Sequence, residues 1–246
     1  MTAHRHTFVI ANAWPGRHVL PSVKDMTDIE PDTVTVVIPC RDEASSIGPV
    51  IASLPAGFIA LVVDNGSTDG TAEVARRAGA EVIVEPRPGY GSAVHAGVSA
   101  ARSALVCTVD GDGSMDPREL PSLVAAVRAG ADLAVGRRRP ASPGVWPWHA
   151  RMGSALVAAR LRRRYGLPLH DIGPMRAVRR DAVLGLGVED RRSGYPVELL
   201  ARAGAAGWRV VERPVRYGPR TGGRSKVSGS VRGTVRATVD FLRAAR

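Results

Sequence analysis

The feature that most constrains the fold of this chain is a regular alternation of short β-branched runs with longer segments of helical periodicity. The runs read as strands and cover residues 34–38, 60–63, 81–85, 105–109 and 132–135. The segments between them read as helices and cover residues 44–53, 69–78, 91–101 and 117–129. This alternation predicts an α/β domain with a mostly parallel central sheet flanked by helices on both faces.

After residue 136 the pattern becomes irregular. The predicted elements are an Arg-rich loop with Pro and Trp at 137–147, a helix at 149–165, an extended stretch at 171–178, helices at 180–185 and 195–206, and a strand at 209–217. The expected divisions are a flexible leader at 1–32, a single domain at 33–226 made of two halves (33–136 and 137–226), and a C-terminal basic amphipathic helix at 227–246.

Charge is divided unevenly along the chain. The protein has a net charge of +11, but residues 25–136 contain sixteen acidic and seven basic residues, whereas residues 137–246 contain twenty-four basic and seven acidic ones. A nucleic-acid binder would not normally keep an acidic first half, so no nucleic-acid partner is expected.

No stretch approaches the roughly 20 apolar residues of a membrane span, and the start lacks a signal-peptide core. We expect a cytoplasmic protein, peripheral on the inner face of the membrane, with Cys40 and Cys107 reduced.

Polar, turn-rich segments follow four of the five first strands. They are PCRDE (39–43), DNGSTDGT (64–71), RPGYGS (87–92) and DGDGSMD (110–116). Because the carboxyl ends of parallel strands meet at one edge of a sheet, the four segments predict one site. Asp110 and Asp112 are spaced to approach one divalent cation, and Mg²⁺ or Mn²⁺ takes a few hard oxygens plus substrate phosphates. No GxGxxG motif follows the first strand, which argues against a dinucleotide-binding oxidoreductase.

The order of the segments VVIPCRDE, VVDNGSTDGT, GYGSAVHAG, VDGDGSMDP and AVGRRR resembles that of family 2 glycosyltransferases of the GT-A fold. The likeness is to the dolichol-phosphate mannose synthase and polyprenyl-phosphate glycosyltransferase branch, and it runs from about residue 33 to residue 226. It implies inverting transfer of a sugar from a UDP- or GDP-linked donor. The implied acceptor is a polyprenyl phosphate on an anionic membrane surface.

The resemblance makes residues 33–136 the donor half and residues 137–226 the acceptor half, and it also implies roles for individual residues. On the donor side these are Pro39, Arg41 and Glu43 in the nucleoside pocket, Asp64 on the base or ribose, Asp110 and Asp112 as the metal-binding DxD pair, and Gly136 and Arg137 in the place of a short Gly-x-Arg element. On the acceptor side they are Asp171, Arg176, Glu198, Arg220, Arg224, Ser225 and Lys226. Asn65 stands where many members have a second Asp, and Pro174 and Met175 replace the usual Gly-Phe.

Several alternatives remain open from the sequence. If the acceptor is a soluble hydroxyl, a carboxylate must take its proton, and Asp171 or Glu198 is the candidate base. A sugar-1-phosphate nucleotidyltransferase would need a glycine-rich basic loop after the first strand, where PCRDEASSIG is acidic and glycine-poor. A non-enzymatic binder of anionic surfaces would leave the acidic strand-end cluster without a purpose.

The final segment places five apolar residues on one helical stripe, which fits either an interfacial helix or a helix packed on the domain. They are Val227, Val231, Val235, Val239 and Leu242.

Overall fold

A computed structural model describes residues 32–221. The strands are Val34–Cys40 (β1), Phe58–Asp64 (β2), Glu81–Val84 (β3), Leu105–Thr108 (β4), Leu133–Pro140 (β5), Arg176–Arg179 (β6) and Val210–Tyr217 (β7). The helices are Ala44–Ala52 (α1), Thr71–Arg77 (α2), Tyr90–Ala100 (α3), Leu120–Arg128 (α4), Trp148–Tyr165 (α5), Arg180–Gly185 (α6) and Tyr195–Ala205 (α7), with a 3-10 turn at Pro117–Glu119. Residues 1–31 of the predicted leader, the predicted acceptor residues Arg224, Ser225 and Lys226, and the predicted helix 227–246 lie outside the described residues.

The strands form one seven-stranded sheet in the order β3-β2-β1-β4-β6-β5-β7. Strand β1 pairs in parallel with β2 and with β4, and β2 pairs in parallel with β3. Strand β5 pairs in parallel with β7. Strand β6 is antiparallel to both β4 and β5, between which it lies. The predicted α/β class with a mostly parallel sheet is confirmed. The antiparallel β6 was not foreseen, because the sequence of this stretch indicates only that it is extended.

Helices cover both faces of the sheet. Helices α3, α5 and α7 pack on one face, where Val94, Val157 and Leu200 join the apolar core. Helices α1, α2 and α4 cover the other face through a second apolar cluster. Strand β1 and residues 60–64 of β2 are buried on both faces, which is why these stretches are almost continuously apolar instead of alternating.

Residues 137–147 correct one sequence-based expectation. They were expected to form a loop, but β5 continues to Pro140 and pairs residue by residue with β7, from Arg137 opposite Pro214 to Pro140 opposite Tyr217. The arginines remain in the strand because the backbone ladder with β7 satisfies their peptide groups, and the side chains of Arg137 and Arg138 pair with Glu212 and Asp171. Strands β1 and β2 likewise run beyond the predicted bounds, so that Cys40 and Asp64 face each other at their ends.

Two further expectations concern thiols and membrane spans. Cys40 and Cys107 are both buried free thiols, and burial raises the pKa of each. Among the described helices, none is long and apolar enough to cross a membrane.

Candidate functional site

The loops that follow β1 and β2 are tied together at the carboxyl edge of the sheet. The backbone N–H of Asn65 donates to the carbonyl of Cys40 at 2.9 Å. Asp42 donates its backbone N–H to Ser67 Oγ at 3.0 Å, and Asp42 Oδ1 accepts from the backbone N–H of Thr68 at 2.8 Å. These reciprocal bonds give the first two polar segments a fixed relative position at the end of the strands.

The DGD segment after β4 packs directly against the loop after β1. A Cβ atom added to Gly111 would lie 2.5 Å from Glu43 Oε2 and 2.6 Å from Cys40 Sγ. No larger residue fits between the two aspartates without displacing both neighbours. Glycine at this position therefore lets Glu43 and Cys40 pack against the DGD segment, as expected if the strand-end segments form one site.

Asp112 is almost fully enclosed, with 2% of its side chain exposed. Its Oδ1 accepts the backbone N–H of Ser114 at 2.8 Å, and its Oδ2 lies 2.8 Å from Arg220 Nη2. The backbone N–H of Thr221 also donates to the carbonyl of Asp112 at 3.0 Å. The segment after β7 is thereby attached to the DGD segment, and Arg220 is one of the predicted residues that the fold brings into the site.

Asp110 carries the most informative electrostatic signature of the rim. Burial and the negative charge of Asp112 raise the pKa of Asp110 to about 7, while Arg220, Arg138 and Arg176 act in the opposite direction. A shift of this kind marks a carboxylate that is held beside a like charge. Such pairs are typical of functional sites.

The residues present fit a hard divalent cation that is completed by substrate oxygens. Within residues 32–221, no group of three or more His, Cys, Asp or Glu side chains is assembled for a metal ion. Mg²⁺ commonly binds through one or two carboxylates plus substrate phosphates and water, and Asp110 and Asp112 provide that donor set. A bound cation would stabilise the charged form of both carboxylates by offsetting their mutual repulsion.

Asn65 explains one departure of the sequence from the family pattern. Its amide nitrogen donates to the carbonyls of Glu85 and Arg87, each at 2.8 Å, and its amide oxygen accepts the backbone N–H of Gly89 at 2.8 Å. An aspartate has no N–H to donate, so it could satisfy only the last of these bonds. Asn65 thus fixes the loop between β3 and α3, whereas Asp64 accepts the backbone N–H of Ser67 at 3.0 Å.

The RPGYGS segment reaches across to the second half of the chain. Gly91 and Ser92 donate their backbone N–H groups to the carbonyls of Arg192 and Arg191, at 3.0 and 2.8 Å. Gly89 has a φ of +138°, and a Cβ atom there would collide with the carbonyl of Arg191. The third polar segment therefore joins the donor half to the loop at 189–192.

Arg138 is the site residue that the sequence reasoning missed. Its Nε and Nη2 lie 2.9 and 2.7 Å from the two carboxylate oxygens of Asp171, and its guanidinium lies 4.1 Å from the centre of the Trp146 ring. Arg137, which had been singled out, lies 3.6 Å from Glu212 instead. The signal was available, because a Gly-x-Arg element that begins at Gly136 places its arginine at position 138.

Asp171 has both carboxylate oxygens engaged. Besides Arg138, it accepts from the hydroxyl of Ser154 on α5. Burial alone would raise the pKa of Asp171, but the guanidinium of Arg138 and these hydrogen bonds outweigh it and hold the pKa below its usual value. In this arrangement Asp171 is a charged partner that orients Arg138.

Arg176 binds backbone carbonyls. Its guanidinium donates to Gly173 and Pro196, each at 3.0 Å, and to Ile172 at 3.4 Å. Burial lowers the pKa of Arg176. Arg176 therefore secures the segment before β6 and the start of α7, while its positive charge still acts on Asp110.

Glu198 holds the 189–192 loop. Its two oxygens accept the backbone N–H groups of Glu189 and Asp190 at 3.0 and 2.6 Å, and Arg202 Nε lies 2.6 Å from Oε1. Burial would raise the pKa of Glu198, but these hydrogen bonds lower it. Of the other predicted residues, Pro39 belongs to β1 and Arg41 lies at the exposed rim, with its Nε 4.0 Å from Asp42.

Comparison with known proteins points to one family. The family model described as glycosyl transferase family 2 matches residues 35–186. An uncharacterized glycosyltransferase of Mycobacterium bovis is 63% identical over 210 residues, which cover 85% of this chain and 96% of that protein. The polyprenol monophosphomannose synthase of Mycolicibacterium smegmatis is 33% identical over 241 residues, which cover 88% of this chain and 89% of that protein.

A solved structure supports the same fold. Glucosyl-3-phosphoglycerate synthase from Mycobacterium tuberculosis, in complex with Mn²⁺, uridine diphosphate and phosphoglyceric acid, matches with a TM-score of 0.67. The match covers 87% of this chain and 78% of that chain at 23% identity. At this identity the likeness establishes a shared architecture and nothing about the acceptor.

Proposed function

The chain belongs to glycosyltransferase family 2, and we propose that it moves a sugar from a nucleoside diphosphate to a polyprenyl phosphate with inversion at the anomeric carbon. One observation carries the proposal. Two adjacent carboxylates, Asp110 and Asp112, lie at the carboxyl edge of the sheet under the influence of three guanidinium groups, those of Arg138, Arg176 and Arg220. This combination suits a ligand that is a metal-bound diphosphate.

The donor end of the reaction requires charge stabilisation. Asp110 and Asp112 would hold Mg²⁺ or Mn²⁺, whose positive charge would offset the negative charge that grows on the departing nucleoside diphosphate. Arg220, beside Asp112, adds a second positive charge from the protein. A metal-bound nucleoside diphosphate as the ligand is supported by the structural relative, which is in complex with Mn²⁺ and uridine diphosphate.

The nucleoside is assigned to the joined loops after β1 and β2. Pro39, Arg41, Glu43 and Asp64 belong to these loops or to the strand ends before them, and the hydrogen bonds between the loops hold their backbones in place. Gly136 and Arg137, in the middle of β5, are assigned to the donor side. Loops that are held in place by such bonds bind a flat base with little ordering cost.

The acceptor is assigned as a phosphate because no free carboxylate base is present among the candidates. A hydroxyl acceptor must lose a proton to a base, whereas a phosphate is already anionic near neutral pH. Asp171 and Glu198 each have both oxygens engaged in hydrogen bonds. We therefore assign them to positioning: Asp171 orients Arg138, and Glu198 holds the 189–192 loop. The polyprenol monophosphomannose synthase among the relatives supports a lipid-linked phosphate.

Arg220 and the residues after it are assigned to the acceptor phosphate. Arg224, Ser225 and Lys226 follow Arg220 within six positions, so the chain can bring two further cations and a hydroxyl toward the same charge. Arg176 contributes from within the fold through its positive charge.

The proposal is tested by transfer of labelled sugar from UDP-, GDP- and dTDP-linked donors into a polyprenyl phosphate, with and without Mn²⁺. Asp110→Asn and Asp112→Asn should each abolish transfer and metal-dependent donor binding, because each removes a charged oxygen ligand with little change in volume. Asp116→Asn is the matched control, since Asp116 is on the same segment but pairs with Arg118.

Three outcomes would contradict the proposal. Transfer by Asp110→Asn or Asp112→Asn at near wild-type rate and low metal would remove these residues from the metal site. Release of pyrophosphate from a nucleoside triphosphate would indicate a nucleotidyltransferase. Transfer only to a water-soluble hydroxyl would retain the enzyme class and overturn the acceptor.

A further inference from the structure

Helix α5 exposes an apolar stripe to solvent. Trp148, Met152 and Leu156 are 69%, 61% and 53% exposed, and their spacing of four residues places them along one face of the helix. The opposite face is buried in the core through Val157, Ala158 and Leu161. A helix with a buried apolar face normally presents polar residues outward, so a second, outward apolar face needs a partner.

Cations surround the exposed stripe. Helix α5 contains five arginines and no acidic residue, and all five are exposed: Arg151, Arg160, Arg162, Arg163 and Arg164. Apolar side chains beside cations of a single sign match the chemistry of an anionic bilayer surface, where apolar burial and attraction to lipid head groups act together.

We propose that the exposed face of α5, formed by Trp148, Met152 and Leu156, docks on the surface of an anionic lipid bilayer. The inference rests on the proposed function in one respect, namely that the docked membrane carries the acceptor. Docking itself follows from the exposed face and its charge, and it can be measured separately.

Charge argues against two other occupants of this face, residues 222–246 and a second copy of the chain. Residues 222–246 contain six basic residues and one acidic residue, so they would be repelled by the arginines of α5. A second copy of the chain that docked through the same face would place five arginines against five. An anionic bilayer complements both α5 and residues 222–246.

Helix α5 also connects the docking face to the site. Ser154, on the inner side of the helix, donates to Asp171 and accepts the backbone N–H of Ile172 at 3.2 Å. Trp146 immediately precedes the helix and lies under the guanidinium of Arg138. A membrane in contact with the outer side of α5 would therefore lie one helix away from the acceptor half of the site.

Vesicle flotation of the full chain tests the docking face. Wild type should bind vesicles of phosphatidylcholine and phosphatidylglycerol, in a salt-sensitive way, and should bind phosphatidylcholine alone weakly. The triple variant Trp148→Ser, Met152→Ser, Leu156→Ser should bind the anionic vesicles at least about tenfold more weakly. The matched control is Ile59→Ser, Val84→Ser, which alters exposed apolar residues on β2 and β3 and should bind like wild type.

The arginines give a second, independent variant. Arg160→Gln with Arg163→Gln should weaken binding to anionic vesicles about tenfold and reduce its dependence on salt, because each cation near the surface contributes to the attraction. Binding of either variant set at wild-type strength would overturn the proposal.

Entry of the Trp148 side chain into the bilayer can be measured directly by tryptophan fluorescence. Vesicles with brominated acyl chains quench tryptophans that enter the bilayer, and residues 222–246 contain no tryptophan. Wild type should be quenched, and Trp148→Phe, which keeps an apolar ring, should bind equally but lose that quenching. Equal quenching of both proteins would show that another part of the chain meets the lipid, and would overturn the role of α5.

The same variants separate this inference from the proposed function. If both hold, the triple serine variant retains transfer to a short-chain, water-soluble polyprenyl phosphate and loses transfer to acceptor embedded in vesicles. If wild type docks through Trp148 but transfers to neither acceptor, the docking face stands and the acceptor assignment fails. Retention of wild type on immobilised polyglutamate without binding to anionic vesicles would assign the arginines to an acidic protein and overturn the lipid proposal.

Discussion

The two halves of the domain use carboxylates in opposite ways. In the donor half, Asp110 lies beside Asp112, and the fold raises its pKa to about 7 because burial and the like charge disfavour ionisation. In the acceptor half, Asp171 is buried more completely, yet its pKa is lowered by Arg138. The fold therefore disfavours the ionised form of Asp110 and stabilises the ionised form of Asp171.

This difference separates groups that serve a ligand from groups that serve the fold. A carboxylate that costs stability is retained because something outside the chain needs it, and here the candidate is a metal-bound diphosphate. A carboxylate whose pKa is lowered by its partners within the fold, such as Asp171, contributes to stability and positions a neighbour. The comparison predicts opposite effects on stability when each is neutralised.

The largest effect is expected for Asp171→Asn. This change removes the charged partner of Arg138 and leaves a buried guanidinium unpaired, so the free energy of unfolding in urea should fall by about 3 kcal/mol. Asp181→Asn is the control, because Asp181 also pairs with an arginine at 2.8 Å but is 91% exposed, and it should change stability by less than about 0.5 kcal/mol. Equal losses in the two variants would remove the distinction between the halves.

Asn65→Asp tests whether the donor half also contains purely structural polar groups. The variant loses two donors and leaves the carbonyls of Glu85 and Arg87 facing a carboxylate, which should lower the free energy of unfolding by about 2 kcal/mol. Hydrogen exchange should rise selectively at Gly89 and its neighbours. Unchanged exchange at these amides would show that the side chain of Asn65 does not fix the loop between β3 and α3.

Glu198→Gln should have a smaller effect, a loss of about 1 kcal/mol, because glutamine can accept only one of the two backbone N–H groups and no longer pairs ionically with Arg202. Transfer should fall far less than the roughly 100-fold that loss of a general base costs. Glu189→Gln, at an exposed position that also meets Arg202, is the control. A 100-fold loss of transfer with intact stability would instead make Glu198 the base.

The donor half was largely predictable from sequence. Short apolar strands ending in polar segments identify the carboxyl edge, and the position of Asp110 and Asp112 follows from the end of β4. Local signals suffice because each donor residue is placed by the strand that precedes it. Even the importance of Gly111 follows from its position between two aspartates that share one edge.

The acceptor half was less predictable because its contacts are distant in sequence. Asp171 meets Arg138 across 33 positions, and Glu198 reaches back to Glu189 and Asp190. Nothing in the local pattern indicates that these carboxylates are already paired. The antiparallel strand β6 and the extension of β5 to Pro140 depend likewise on pairing with strands far along the chain.

The most direct test of the opposed roles is the free energy of unfolding of wild type and Asp110→Asn at pH 5 and pH 8, with chelator to exclude metal. The folded state holds the Asp110 proton up to a pKa of about 7, whereas the unfolded chain releases it near the ordinary value of 3.8. Wild type therefore loses stability from this group as pH rises through 7, and the variant does not. We predict that the difference in stability shifts in favour of Asp110→Asn by about 2.5 kcal/mol between pH 5 and pH 8. An unchanged difference, or a shift in favour of wild type, would contradict the account.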